Sequence, residues 1–299
     1  MTTVTDVGAR RPDHGQEPVR PRAPRPRRRR RIGPGFGLGL LAWVVGVLFF
    51  FPVLWMFLTG FKQESQASTD PPTFWFEPTL DQYAAVLGRD FVPYLLNSLQ
   101  ASVLSTALAI VLAVPAAYAL SLVRIPKWRD SLFFFLSTKL LPPVAMILPL
   151  YVIARNLGAL DDVRTLTLVY TAMNMPIAVW MIRSFLVELP EEVLEAARMD
   201  GAGRIREMRS VILPMIAPGL AATALICFIF AWNEFFFAVN LTASQAATVP
   251  VFLVGFISGE GLFWARLSAA STMAALPVII AGWAAQRWLV RGLSLGAIK

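Results

Sequence analysis

Several residue types are scarce in this chain, and each scarcity closes off a class of chemistry. The single cysteine, Cys227, lies in an apolar stretch, so neither an intramolecular disulfide nor a multi-cysteine metal site can form. The single histidine, His14, sits in a polar N-terminal segment, which removes histidine triads and zinc motifs. No G-x-x-x-x-G-K-[ST] loop occurs, so the chain does not hydrolyse nucleotides through a P-loop. Charge is scarce too, at 15% of 299 residues, where soluble domains carry about 25%. Hydrophobic residues reach 56%, and the mean hydropathy is +0.59. So apolar a chain cannot cover itself with polar side chains in water, which makes it an integral membrane protein of all-α, polytopic class.

The net charge of +8 is concentrated at one end. Residues 1–31 hold ten arginines against three acids, a surplus of +7, interspersed with prolines. Such a tail is expected to be disordered. A nucleic-acid-binding fold would spread its basic residues over a structured face. These arginines instead precede an apolar run directly, as cytoplasmic anchors of a membrane helix do. Nucleic acid is therefore excluded as a partner.

A spanning helix needs about 20 mostly apolar residues. Six stretches qualify, near 35–60, 93–122, 131–154, 164–187, 216–240 and 265–289. The chain then divides into the tail 1–31, a first membrane helix within 32–61, and an exposed extracytoplasmic loop 62–92. A core domain of five helices follows over 93–289, and a cytoplasmic tail over 290–299. The first run is too long for a signal-peptide core of about 7–15 residues and has no cleavage-type site after it. Thr248 to Phe256 is apolar but too short to span, and reads as a re-entrant or interfacial piece. With the N-terminus inside, Lys and Arg number 21 in cytoplasmic segments against 5 outside, which places both termini in the cytoplasm.

Between the fourth and fifth helices lies a 188–214 segment with the physics of a helix–turn–helix hairpin. Pro190 fits a first helical turn, and Glu191 and Glu192 suit the positive end of the helix dipole. Val193, Leu194, Ala196 and Ala197 supply a narrow face of small and apolar residues. Gly201 or Gly203 ends that helix in a left-handed conformation. Ile205, Met208 and Ile212 form a second short helix, which Pro214 closes. A solvated amphipathic loop is the plain alternative; a hairpin of this shape can also dock into a cleft on a soluble partner.

Glu195-Ala196-Ala197, then Gly201, then Ile212-Leu213-Pro214 resemble the E-A-A-x-x-x-G-x-(about nine)-I-x-L-P coupling loop of bacterial ABC importer permeases. Asn97-Ser98, Ala231-Trp232-Asn233-Glu234-Phe235 and the ending from Gln286 resemble carbohydrate-type permeases related to the maltose system. This resemblance extends over about residues 35–299. Ser137 to Pro143 is similar to members that take sugar alcohols such as sorbitol and mannitol.

The resemblance implies the ABC importer type I permease fold and a non-catalytic role: moving a sugar or sugar alcohol across the bacterial cytoplasmic membrane. The implied partners are a second permease subunit, an ATPase dimer that binds ATP and Mg, an extracytoplasmic solute-binding protein and membrane lipid. This chain itself would hold no cofactor. Glu195, Ala196, Ala197, Asp200, Gly201, Ile212, Leu213 and Pro214 would couple to the ATPase. Gly259, Glu260 and Gly261 would contact the binding protein. A self-contained secondary transporter or channel is the alternative function; it should show internal repeats, and none is evident. A membrane enzyme would need clustered histidine, cysteine or carboxylates, which are missing.

Polar residues inside the spans have two readings each. Trp232, Asn233 and Glu234 would line the sugar path, or Glu234 would fix helix packing through hydrogen bonds. Asn174 would line the same cavity or bridge helices. Lys139, just before Leu140-Leu141-Pro142-Pro143, would satisfy carbonyls at a proline-broken helix or face the path.

Overall fold

The computed structural model describes the backbone of residues 35–123, 125–258 and 261–296, and the side chains of residues 37–123, 125–257 and 262–286. The tail expected at 1–31 and the residues Gly259 and Glu260 lie outside that range. The described elements run in chain order as α1 Gly35–Thr59, α2 Glu64–Ala67, α3 Asp81–Leu87, α4 Phe91–Leu122, α5 Trp128–Thr138, α6 Pro143–Asn156, α7 Val163–Val187, α8 Glu191–Met199 and α9 Arg204–Glu207. A π-helical turn, Met208–Ile212, leads into α10 Leu213–Trp232. Then come α11 Phe236–Leu241, α12 Val249–Val254, the two-residue strands β1 Ile257–Ser258 and β2 Gly261–Leu262, and α13 Trp264–Gly296. The strands pair antiparallel, Ile257 opposite Leu262.

Among the described residues five stretches are long and apolar enough to cross a membrane: Gly37–Thr59, Phe91–Leu122, Val163–Val187, Arg204–Trp232 and Trp264–Gln286. α5 and α6 meet the same test only as a pair and are bent by 85° to one another, the geometry of a broken span or of a re-entrant loop. The polytopic all-α architecture therefore agrees with the sequence, in five continuous stretches and one bent pair.

The chain falls into two units, one ending at Phe50 and the other beginning at Phe51. In the first, every side chain from Gly37 to Phe50 is exposed, and none is charged. A helix that is apolar all round is suited to lipid or another membrane subunit.

The core of the second unit is built on α4 and α7. Along α4 the buried residues Ser98, Ala101, Ser102, Ser105, Ala109, Ala113 and Ala117 recur every three or four positions. Hydrocarbon offers no hydrophobic drive for helices to associate, so close backbone approach through small residues supplies the packing. Against this stripe α7 sets Leu166, Tyr170, Thr171, Asn174, Ala178, Val179 and Ile182, all buried. Thr171 Oγ1 donates to the Ser105 carbonyl at 3.4 Å. α10 completes the group, and its Gly219 lies against the Phe185 ring of α7 so tightly that a Cβ would overlap the ring.

Local structure departs from the sequence expectations where proline or chain direction decides. The span expected at 131–154 breaks after Thr138, because Pro142 and Pro143 lack N–H donors. Lys139 does not satisfy the freed carbonyls. The Thr138 carbonyl, which Pro142 cannot serve, accepts from the Leu141 N–H at 3.4 Å, while Lys139 Nζ lies 5.5 Å from the Phe230 ring centroid. The span expected at 216–240 is interrupted between Trp232 and Phe236. Pro214 does not close a hairpin helix: the helix continues through it, and the π turn before it widens the backbone, with the Leu213 N–H reaching the Met208 carbonyl. α13 continues to Gly296, so the tail expected at 290–299 begins as helix.

The segment 62–92 is packed as well as exposed. Lys62 is 1% exposed, its Nζ donating to the Thr73 carbonyl at 2.6 Å and lying 4.1 Å from the Trp55 ring centroid. Val86 joins Phe91, Val249, Phe256, Ala269 and Ala270 in a buried cluster. Glu64 caps α13, accepting from the Ala265 and Arg266 amides at 2.9 and 3.3 Å.

Overpacking at the α7–α10 crossing should cost stability. Gly219→Val is expected to lower the thermal unfolding midpoint of the purified protein, at a cost of about 1–3 kcal/mol. Gly282→Ala, where nothing lies within 4 Å of the added carbon, serves as the control and should not lower the midpoint.

Candidate functional site

The hairpin expected at 188–214 is present, with its turn geometry set by Gly201. Among its two glycines Gly201 alone is left-handed, at φ +78°; Gly203 is extended and opens α9. The end of α8 is a Schellman motif: the Ala202 N–H donates to the Ala197 carbonyl and the Gly201 N–H to the Arg198 carbonyl, both at 3.0 Å. Glycine occupies the left-handed position because it has no Cβ to clash there.

A bidentate ion pair braces the two arms. Arg198 Nε donates to Glu207 Oε2 at 3.2 Å, and a terminal guanidinium nitrogen donates to Oε1 at 3.0 Å. Glu207 is 2% exposed, so its charge needs this partner, and the fork geometry fixes the angle between the arms. Neither residue stood out in the sequence, because a pair nine positions apart across a turn fits no single-helix spacing.

The apolar face expected on α8 is divided between two directions. Leu194 is buried and packs with Leu186, Ile212 and Ile216, which roots the hairpin in the membrane core. Val193, Glu195, Ala196, Asp200 and Gly201 are exposed, Ala197 is half-buried, and Met199 and Ile205 are 88% and 73% exposed. Of the terminal triplet, Ile212 is buried, Leu213 half-buried and Pro214 exposed. A rigid projection results, with an apolar rim and charged flanks.

Within the spans the candidate residues separate. Trp232 is buried at 4% exposure and stacks on Phe228, so its ring is not offered to a sugar within this chain. Asn233 is exposed, its Nδ2 donating back to the Ile229 carbonyl at 2.8 Å. Glu234 bridges the break between α10 and α11: its carboxylate accepts from the Phe237 N–H at 2.9 Å and the Ala238 N–H at 3.2 Å. Two first-turn amides of α11, which have no partner within the helix, thereby find an acceptor. Asn174 is fully buried and donates to the Cys227 carbonyl at 3.1 Å, tying α7 to α10. Lys139 stands at the α5–α6 break, 5.5 Å from the Phe230 ring centroid.

At the end of the bundle opposite the hairpin, a residue that sequence reasoning missed organises the loops. Asp161, itself left-handed at φ 55°, presents its carboxylate to the turn after α11. It accepts from the amides of Ala243 (2.8 Å), Ser244 (3.1 Å), Gln245 (3.0 Å) and Ala246 (2.9 Å). Asn97 Nδ2 donates to the Gln245 and Ala247 carbonyls at 2.7 and 3.0 Å, and the Val249 N–H donates to Ser98 Oγ at 2.8 Å. Asn97-Ser98 and Asp161 together clamp the 243–249 connection. Gly261, the one described member of the expected 259–261 contact, sits in β2 just beyond it.

Partial burial acts to raise the Asp161 pKa, but the four backbone donors override it and hold the value at about 2, below the ordinary 3.8. The sign of the pH dependence follows. The carboxylate's contribution is complete above about pH 4 and is lost as pH falls toward 2. Asp161→Asn, with one accepting oxygen, should release the loop. Hydrogen exchange of amides 243–246 at neutral pH is expected to quicken by at least about tenfold. Asp162→Asn, which removes a charge next door but keeps an oxygen for the Arg164 amide, should leave those amides unchanged.

Comparison with known proteins places these features in a family. Residues 106–295 match the family described as binding-protein-dependent transport system inner membrane component. A probable ABC transporter permease protein of Sinorhizobium fredii is 36% identical over 264 residues, covering 88% of this chain and 95% of that protein. The trehalose/maltose transport system permease protein of Thermococcus litoralis is 33% identical over 262 residues, covering 86% and 94%. The same fold occurs in the crystal structure of a bacterial ABC transporter involved in the import of the acidic polysaccharide alginate, at TM-score 0.68 and 24% identity over 85% of this chain and 95% of that one. The chain, with its polytopic bundle and its Glu195–Pro214 hairpin, belongs to the binding-protein-dependent transport system inner membrane component family and is an ABC transporter permease.

Proposed function

We propose that this chain is one permease subunit of an importer for a sugar or sugar alcohol in the bacterial cytoplasmic membrane, and that the 188–214 hairpin is its mechanical link to a separate ATPase dimer. One observation carries the coupling role: a hairpin fixed by the Gly201 turn and the Arg198–Glu207 pair, rooted through Leu194, presents an exposed apolar rim of Val193, Met199 and Ile205. Exposed apolar side chains on a rigid projection suit a cleft in a soluble partner. ATP and magnesium are then bound by the ATPase, and closure of its two subunits pushes on the hairpins. Because Leu194 packs with Ile182, Leu186 and Ile216, that push is delivered directly to α7 and α10.

Sugar as the cargo is supported by the trehalose/maltose system relative, and a polyol by the Ser137–Pro143 resemblance. A second permease subunit completes the pathway, and an extracytoplasmic binding protein delivers the substrate. Asn233, exposed at the α10–α11 break, is the residue best placed to meet a sugar hydroxyl. Glu234 acts as the cap that keeps the break open. Both termini face the cytoplasm, on the Lys and Arg distribution.

Two measurements test this reading. In the assembled importer, Gly201→Asp adds a charge at the hairpin tip, where nothing lies within 4 Å, and strains the left-handed turn at φ +78°, a disturbance confined to the hairpin and outside the spans. Uptake of labelled trehalose, maltose or sorbitol should fall by on the order of tenfold or more, with insertion and subunit assembly intact. Unchanged uptake would remove the hairpin as the coupling element. For orientation, single cysteines introduced at Leu80 and Leu160 should react with an impermeant maleimide in intact cells, and those at Lys127 and Asp200 should not. Buried Cys227 contributes no background. Reaction at Asp200 without reaction at Leu80 would invert the topology.

A further inference from the structure

We propose that a small pocket at the end of the bundle opposite the hairpin is a sugar-ring subsite, the first place on this chain that an incoming pyranose occupies. This rests on the sugar-importer reading, which places that end outside. The pocket has a volume of about 230 Å³ and is lined by Arg89, Tyr94, Ala243, Ala247, Phe252 and Phe256, among others. Drug-sized ligands use pockets of about 300–1,000 Å³; this one admits a single six-membered sugar ring.

Its lining matches the two chemistries of a sugar. A pyranose has C–H-rich faces, which pack on aromatic rings, and an equatorial rim of hydroxyls, which need hydrogen-bonding groups. Phe252 supplies the aromatic platform at the centre of a cluster, with ring centroids 4.9 Å from Tyr94, 5.3 Å from Phe91 and 5.3 Å from Phe256. Such a cluster holds its rings in place by edge and tilted contacts. Arg89 stands at the mouth, exposed, its guanidinium carbon 5.6 Å from the Phe256 ring centroid. Its planar fork of donors can bridge two neighbouring hydroxyls. A site for an acyl chain or an apolar peptide would leave that cation unmatched.

The wall of the pocket is pre-organised. Ala243 and Ala247 belong to the connection clamped by Asp161 and Asn97, with the Ala243 N–H on Asp161 and the Ala247 carbonyl on Asn97. A wall held by a carboxylate and an amide does not have to be ordered by the ligand, so weak contacts suffice to hold a ring in transit. This gives the clamp a function: it keeps the mouth shaped for cargo while the bundle moves.

The test fills the pocket from its exposed rim. Ala243→Trp keeps the backbone N–H that Asp161 uses and places an indole over the platform, and Arg89→Gln removes the fork. Both are assembled with the partner subunits in proteoliposomes, and uptake of the three labelled sugars is measured while the concentration of sugar-loaded binding protein is varied. For whichever sugar the parent complex transports, Ala243→Trp should lower the maximal rate about tenfold and Arg89→Gln about threefold, with the half-saturating binding-protein concentration within about twofold of the parent. A raised half-saturating concentration at unchanged maximal rate would show that the pocket takes a side chain of the binding protein, and would overturn the subsite. Unchanged values for both variants overturn the subsite and leave the importer reading standing, whereas a parent complex that moves none of the three sugars overturns both. If Ala243→Trp fails to assemble, Arg89→Gln decides alone.

Discussion

In hydrocarbon no water is at hand to pair with a free amide or carbonyl, and the architecture of this permease follows from that constraint. A chain that only crossed the bilayer could meet it with unbroken helices. Here the helices break at 139–142 and 233–235, and each break carries its own compensation. At the first, the Leu141 amide reaches the Thr138 carbonyl that Pro142 cannot serve, and the Ser137 and Thr138 hydroxyls donate to the Phe134 and Phe135 carbonyls of the last turn before the break. The second uses a carboxylate, Glu234 accepting from the Phe237 and Ala238 amides. Irregular backbone at membrane depth is tolerated where it is buried in protein or lines a cavity. Breaks maintained at such cost are therefore the natural places to look for a path.

The two ends of the bundle solve a different problem, that of rigidity. Three independent devices fix the hairpin proposed to couple to the ATPase: a Schellman turn at Gly201, the Arg198–Glu207 fork, and Leu194 and Ile212 set into the core. At the opposite end the 243–249 connection has little side-chain bulk of its own and is held from outside. Asp161, Asn97 and Ser98 reach it from the α6–α7 connection and from the first turns of α4. A carboxylate facing four converging amides is a strong anchor at any ordinary pH, because those donors stabilise its charged form. Between the two ends, the small-residue seam of α4 and α7 lets the bundle stay compact without large side chains.

How far the sequence could be read depends on whether a feature is local. The spans were legible because an apolar run of membrane length needs no tertiary context. Gly201 and Gly203 were legible as turn residues, but not which of them is left-handed; that depends on which carbonyls the turn closes on. Pro214 was misplaced as a helix stop, since a π turn can absorb a missing donor and nothing local announces it. The polar residues of the spans were located in sequence, yet whether each faced a path or a neighbour depended on helix rotation. Trp232 and Asn174 turned inward, and Asn233 did not.

By itself the sequence determined the membrane class, the position of the long apolar segments, the position of the hairpin and the family motif, all properties of contiguous residues and their spacing. Tertiary structure alone decided the pairings across long separations: Asp161 with residues some eighty positions on, Asn97 with a loop about 150 positions away, Gly219 with Phe185. Hydrophobic periodicity fixes which segments enter the bilayer. It carries no record of which loop a lone carboxylate will meet, because that is set by how the helices stack once they are there.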